Sequence, residues 1–306
     1  ARHVVTVNSC TSALFLSLAA HGVGEGDEVI VPSLTWISTA NAAAHLGATP
    51  VFCDVDQHTF CATPESIRAR LTPRTRAVVV VHLGGHAADM RAIRRAVPGH
   101  IPLIEDAAHA FGARYEDGLP VGSLGNLTCF SFYANKNLST GDGGAISLDS
   151  DALADRLRSL RQHALPNDAW KRYIDARTLT PGGVSEIGYK MNFTDLQASI
   201  GRVQLHRQRE FAERRRAIAS LYLAELAALP WNITVQWGVI DPYHARHLFL
   251  VQLPLDEVGR SRNEILQGLR ARNIGASVHY TPIHHMPLYA AGAPELPVTD
   301  EVAARV

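Results

Sequence analysis

Short apolar runs alternate with helical patterns along most of the chain. The runs at residues 4–7, 28–31, 50–53, 77–81 and 102–105 read as strands, and apolar positions at helical spacing over 11–21, 37–45, 64–71 and 90–96 predict helices between them. Strand and helix in regular turn are the sequence form of a mostly parallel sheet covered by helices, an α/β fold. Two further strands read at 129–132 and 143–148 and anchor both ends of a loop rich in glycine and small residues. From Thr194, with Asp195 beside it as a start signal, a long helix runs to about residue 229 and carries the chain away from the sheet. After Pro230 the pattern changes: 247–253 and 276–280 read as strands and 262–272 as a helix, with a helical pattern again at 299–305. The chain therefore divides into a large domain, residues 1–229, and a smaller α/β domain, residues 230–306. Internal repeats and low-complexity tracts are absent.

Composition narrows the function classes. With 306 residues, 46% of them hydrophobic, the chain buries a large core. Its 29 basic and 29 acidic residues cancel, so nothing in the bulk charge favours nucleic acid or an anionic membrane, and an anionic ligand has to be met by local groups. Cys10, Cys53, Cys61 and Cys129 show neither a close pair nor a metal-ligand spacing, which favours reduced thiols in a cytoplasmic protein. No apolar run approaches the roughly 20 residues needed to cross a bilayer, and no signal peptide is visible.

Parallel sheets bind ligands outside the carboxyl ends of their strands. Asp106 lies at such an end, and so does the polar turn at residues 8–12. About thirty residues after Asp106, Lys136 sits in the glycine-rich loop with Gly141, Gly143 and Gly144 behind it. A lone loop lysine is ordinarily solvated, but one anchored between two strands is partly buried, and burial lowers its pKa toward a free amine. An amine within reach of an aldehyde, a carboxylate for a pyridine nitrogen and backbone amides for a phosphate are together what pyridoxal phosphate needs to be held as a Schiff base. The turn at Ser9, Cys10 and Thr11, opening a helix, offers those amides and the positive end of a helix dipole. Read alone, that turn serves equally as a plain helix cap.

The segments Glu-Asp-Ala-Ala-His-Ala-Phe-Gly-Ala at 105–113 and Ser-Phe-x-x-x-Lys-x-x-x-x-Gly-Asp-Gly-Gly at 131–144 resemble signatures of the DegT/DnrJ-type sugar aminotransferases. Residues 8–14, 31–36, 188–198 and 278–284 match further family motifs in the same order, so the resemblance covers essentially the whole chain. It implies a three-layer sheet of the fold-type I pyridoxal-phosphate transferase kind and a set of roles. Lys136 forms the internal aldimine and moves the proton, and Asp106 pairs with the pyridinium. Cys10, Thr11 and Ser131 hold the phosphate, with Cys10 standing where glycine is usual and so limiting how closely the backbone approaches it. Trp36 stacks on the ring, and His109 meets its phenolic oxygen or the substrate edge. Asn192 reaches the neighbouring subunit's site in a homodimer with shared active sites, and Lys190, His279 and Tyr280 bind substrate.

The form Gly-Tyr-Lys-x-Asn-x-Thr-Asp at 188–195 and the stretch 168–173 resemble the branch that aminates C4 of nucleotide-linked keto sugars, in polysaccharide or antibiotic biosynthesis. The expected reaction is ping-pong transfer from an amino acid, glutamate by family expectation. Specificity is expected in residues 165–185 and in contacts from the partner subunit. Relatives are expected to extend beyond both Ala1 and Val306. Three other readings stay open: amination of an inosose-type ketocyclitol, a sugar deoxygenase or dehydratase, and a non-catalytic regulatory or binding member of the fold. Retention of Lys136 argues against the second, whose known members resemble this chain but carry histidine there; intact Lys136, Asp106 and Ser131 argue against the third.

Overall fold

The computed structural model describes residues 1–165, 184 and 186–306. In chain order its first elements are β1 (His3–Val7), α1 (Cys10–Ala20), β2 (Glu28–Pro32), α2 (Ser38–Ala44), β3 (Thr49–Cys53), α3 (Pro64–Arg68) and β4 (Thr75–Val81). Then come α4 (Met90–Ala96), β5 (Leu103–Asp106), β6 (Leu127–Ser131), β7 (Gly144–Leu148) and α5 (Asp151–Leu160). The strands form one seven-stranded sheet in the order β1-β7-β6-β5-β4-β2-β3. β3, β2, β4, β5 and β6 run parallel, and β7 lies antiparallel between β6 and β1. The expected mostly parallel α/β sheet is therefore the observed one.

Alternation along the strands places a core on each face of the sheet. In β4, Val78 and Val80 pack on one side with Phe60, Met90 and Ile93, while Ala77 and Val79 pack on the other with Leu14, Leu18 and Ile104. Helix α1 is apolar nearly all round, with Ala13, Leu14, Leu16, Leu18 and Ala20 buried, as suits a helix enclosed on every side. Its start is set by Ser9, whose hydroxyl accepts from Ser12 N–H.

The later elements depart from their sequence patterns. The helix expected from residue 194 to about 229 is two helices, α6 (Asp195–His206) and α7 (Gln208–Ala227), broken at Arg207. The Gln208 side chain there donates to Asn137 O and Gln204 O, tying the break to the glycine-rich loop. Of the strand expected at 247–253, only β9 (Val251–Gln252) forms, paired with β8 (Thr234–Val235). Upstream of it, Ala245 N–H and Leu248 N–H donate to Gly85 O and Gly84 O, so a loop takes the backbone bonds that a strand partner would have needed. Residues 276–280 form no strand and have no neighbouring strand to pair with among the described residues. After α8 (Leu255–Val258) and α9 (Arg262–Ala271), α10 (Pro297–Arg305) returns to the large core through Val302 and Ala303, and Asp54 accepts from the first amides around Thr299. Among the described residues no helix is long and apolar enough to cross a membrane.

Behind Asp106, its neighbour Glu105 points to the opposite face and is fully buried. It accepts from His82 Nε2 at 2.8 Å, Tyr115 Oη at 2.6 Å, Asn126 Nδ2 at 2.8 Å and Thr128 Oγ1 at 3.3 Å. His82 Nδ1 accepts from Ala88 N–H, so the ring proton lies on Nε2, facing the carboxylate. Burial alone would raise the Glu105 pKa, but these donors, His82 foremost, outweigh it and hold it below the ordinary glutamate value. A lowered folded-state pKa stabilises above the unfolded value and ceases to do so as pH falls through the folded one. Glu105→Ala should lower the unfolding free energy by about 3–5 kcal/mol, because it strands buried donors, and Glu105→Gln should flatten the loss of stability between about pH 4 and the acid transition; urea titrations across that range measure both.

Candidate active site

The edge at which β5 ends collects the chemistry. Asp106 closes β5 opposite Cys129 of β6, and Ser131, at the end of β6, faces Gly144, which in turn faces Val7 at the end of β1. The reversed β7 thus delivers the glycine-rich loop to the same edge as the turn that opens α1. Gly144 lies against that turn so closely that a Cβ there would be 2.6 Å from Ser9 C and 2.8 Å from Cys10 N. Gly143 has φ +148, and a Cβ on it would meet Phe193 at 2.5 Å. Two amides of the turn have no bonded partner among the described residues. Ser12 N–H is taken by the Ser9 hydroxyl and Ala13 N–H by the Ser9 carbonyl, so the Cys10 and Thr11 amides face out of the helix end, where an anion is favoured.

Cys10 was expected to crowd an approaching phosphate. Instead its side chain is buried beneath the turn, with Sγ 3.5 Å from Cys129 O and 3.9 Å from Asp106 Oδ1, and the amide edge is clear. Burial first, then Asp106 and Cys129, push its thiol up, so it adds no charge. Thr11 is exposed at the rim, its hydroxyl 2.9 Å from that of Ser38. Ser131 is buried, with its Oγ accepting from Tyr133 N–H at 3.4 Å.

Asp106 is buried, and its charge is met by dipoles: Thr39 Oγ1 donates to Oδ2 at 2.8 Å and Ala108 N–H to Oδ1 at 3.1 Å. Burial pushes its pKa up despite those bonds and the nearby charge of Lys136. The Lys136 amine is pushed the opposite way. Burial lowers its pKa, with Asp106 and Cys10 opposing. His109 accepts from Gly84 N–H on Nδ1 at 3.2 Å, which leaves its proton on Nε2, 3.1 Å from the Tyr280 hydroxyl. Burial, then His247, Lys136 and His279, hold His109 well below the ordinary histidine value. His279 is lowered by burial and by Lys136, with a bond to Ser277 opposing. Burial and then Asp106 push the Tyr280 phenol up.

Lys136, Asp106, His109, His279 and Tyr280 therefore come together at this edge. Trp36 stands at the mouth, 59% exposed, its ring 5.9 Å from that of Tyr280. Residues 189–192 run beside the α1 turn, where Asn8 N–H donates to Met191 O. Lys190 there is exposed and Asn192 half-buried. Residues 166–183 and 185, which hold the 168–173 stretch and most of the 165–185 segment, lie outside the described residues. Three site residues escaped the sequence reading: Thr39, Asn137 and His247. Thr39 and His247 sit in otherwise ordinary helical and apolar stretches, and only their contacts single them out; Asn137 was inside a quoted motif, next to Lys136, and could have been flagged by that adjacency.

The donor set fits pyridoxal phosphate. A dry carboxyl with no bonded cation among the described residues suits a basic ring nitrogen, a depressed lysine suits an aldehyde, and a helix-end turn pressed by two glycines suits a phosphate. Gly144→Ala should push the turn aside, lowering stability by about 1–3 kcal/mol and weakening pyridoxal phosphate binding relative to wild type, as read by urea unfolding and absorbance titration.

The DegT/DnrJ/EryC1/StrS aminotransferase family model matches residues 1–306. Among proteins of similar sequence, the spore coat polysaccharide biosynthesis protein SpsC of Bacillus subtilis is 45% identical over 291 residues, covering 94% of this chain and 74% of that one. Among solved structures, S. venezuelae DesV in complex with a ketimine intermediate is 37% identical with a TM-score of 0.86, covering 99% of this chain and 78% of that one. DesI, in the presence of its TDP-sugar product, is 31% identical with a TM-score of 0.88, covering 99% and 74%.

Proposed function

The chain belongs to the DegT/DnrJ/EryC1/StrS aminotransferase family, and from that membership we propose that it moves an amino group from an amino acid, glutamate in our reading, to a keto sugar carried on a nucleotide, with pyridoxal phosphate bound at Lys136. The observation that carries the reading is the pairing of opposites at one sheet edge: a lysine whose amine is lowered by burial and a buried carboxyl raised by it, each within electrostatic reach of the other. The likeness to DesI, whose structure was determined in the presence of its TDP-sugar product, supports the nucleotide-sugar substrate.

Pyridoxal phosphate, when bound, supplies an aldehyde and an electron-withdrawing ring, so the amino group passes in two half-reactions. The protein does the rest. The Cys10 and Thr11 amides and the Ser131 hydroxyl bind the phosphate. Trp36, at the mouth of the site, would hold one face of the ring. Asp106 would hold the ring nitrogen, whose positive charge would favour the ionised carboxylate that burial disfavours. Lys136, whose amine burial shifts toward the free form, takes and returns a proton at Nζ. His109 offers its Nε2–H to the ring's phenolic oxygen or the substrate edge, and Lys190, His279 and Tyr280 contact the sugar.

A homodimer with shared sites is part of the proposal, Asn192 reaching the partner's phosphate site. Its support is the surface of α6 and α7. Helix α6 buries none of its residues, and Leu196, Val203 and Leu205 stand 79%, 60% and 56% exposed, with Leu221 and Tyr222 of α7 similarly bare. A two-helix arm with that much apolar surface needs a covering partner. The four buried free cysteines support the cytoplasmic setting, and the division at residue 229 remains the proposed domain boundary.

Lys136→Ala should abolish both turnover and the absorbance of the lysine-linked cofactor; retention of both would refute the nucleophile. Wild-type enzyme charged as the amine form should regain the aldehyde absorbance with nucleotide keto sugars. Response to inosose-type ketones alone would remove the nucleotide sugar and leave amino transfer standing. Leu196→Asp combined with Val203→Asp should turn the dimer into a monomer in sedimentation velocity; a wild-type monomer would defeat the shared-site reading.

A further inference from the structure

The Lys136 amine has a partner that no sequence motif indicated. Its Nζ lies 3.3 Å from Nε2 of His247, and His247 Nδ1 lies 3.3 Å from Oδ1 of Asn137, the residue next to Lys136. Asn137 is buried and pinned at both ends: its Nδ2 donates to Ala245 O at 2.8 Å, and its own carbonyl accepts from Gln208 Nε2 at 3.0 Å. An amide whose nitrogen faces a carbonyl turns its oxygen the other way, and that oxygen only accepts. His247 Nδ1 therefore carries the ring proton, and the bare Nε2 lone pair faces Lys136.

The neutral form of this ring is enforced from several sides. Burial, then Lys136 and, more weakly, Arg215 of α7 and His279, hold the His247 pKa down at about 3. The His109 ring, itself neutral, lies against it with centroids 4.4 Å apart. A charged imidazole would set an N–H against the lysine and repel it.

We propose that His247 is the positioning residue for the reactive amine: with its tautomer set by Asn137, it is the acceptor on which Lys136 rests whenever that amine is not covalently engaged. The inference depends on the reading of Lys136 as the reactive lysine. An amine that must return to one reacting carbon in every cycle gains from a fixed resting place, because a free lysine side chain otherwise spreads over many rotamers. A neutral acceptor suits the task. A carboxylate there would bind the ammonium as an ion pair and raise its pKa, and a cation would expel it.

The chain's lysines are Lys136, Lys171 and Lys190, so reductive ¹³C-methylation of the cofactor-free protein leaves a readable signal for Lys136. In His247→Phe the Lys136 signal should titrate at lower pH than in wild type, since an acceptor that favours the charged amine is gone. The half-reaction with amino donor should slow by about tenfold or more, with the donor's KM little changed. His247→Gln, whose Oε1 offers an acceptor at similar reach, should restore most of both. Asn137→Ala should replace one imidazole tautomer with a mixture in ¹⁵N spectra. Equal Lys136 titration in wild type and His247→Phe, or equal slowing of the Phe and Gln variants with unchanged thermal stability, overturns the proposal. These titrations need no cofactor, so they separate a failure at His247 from a failure of the aminotransferase reading, which the Lys136→Ala variant tests.

Discussion

A carboxyl group kept nearly dry at the end of a central strand sets the terms for everything around it. Asp106 accepts from the Thr39 hydroxyl and the Ala108 amide, while the nearest positive charge, Lys136, acts at a distance and is itself weakened by burial. Such a site disfavours its own negative charge until a cation arrives within it. The surrounding bases are tuned in the same sense: His109, His247 and His279 are all held toward neutrality. Positive charge is withheld by the protein and left for a ligand to supply.

The topology makes this possible by bringing several chain segments to one edge. A wholly parallel sheet would have put the start of β7 at the far side. Its reversal places Gly144 between Ser131 and the turn that opens α1, and only a residue without a side chain fits there. On the opposite face, the Glu105 cluster locks the same strand that carries Asp106. Adjacent residues on one strand thus divide the work. One carboxylate, fully hydrogen-bonded, holds the scaffold; the other, partly satisfied, is available for chemistry.

The loop that carries Lys136 is held by distant parts of the chain. Asn137 is bonded to Ala245 and to Gln208, and His247 closes the circuit onto the lysine. The break between α6 and α7 belongs to the same arrangement, since Gln208 at the break reaches the loop. The position of the amine is therefore coupled to the apolar helical arm proposed as the dimer contact. Assembly and active-site order are expected to share these bonds.

Much of this was legible in the sequence because it depends on local order. Apolar runs of strand length between helical patterns specified the alternating α/β layers, the match of residues 90–96 to α4 being complete, and the acid at a strand end with a lysine in a glycine-rich loop specified the chemistry. What tertiary structure alone decided is where backbone and side-chain bonds of distant segments go. The expected strand at 247–253 gave way because Gly84 and Gly85 took its upstream donors, and 276–280 found no strand to pair with among the described residues. The orientation of Cys10 and the partnership of Lys136 with His247 were equally hidden. Periodicity encodes which face of an element is buried, but a hydrogen bond between residues far apart in the chain leaves no periodic trace, and only the folded chain brings its two ends together.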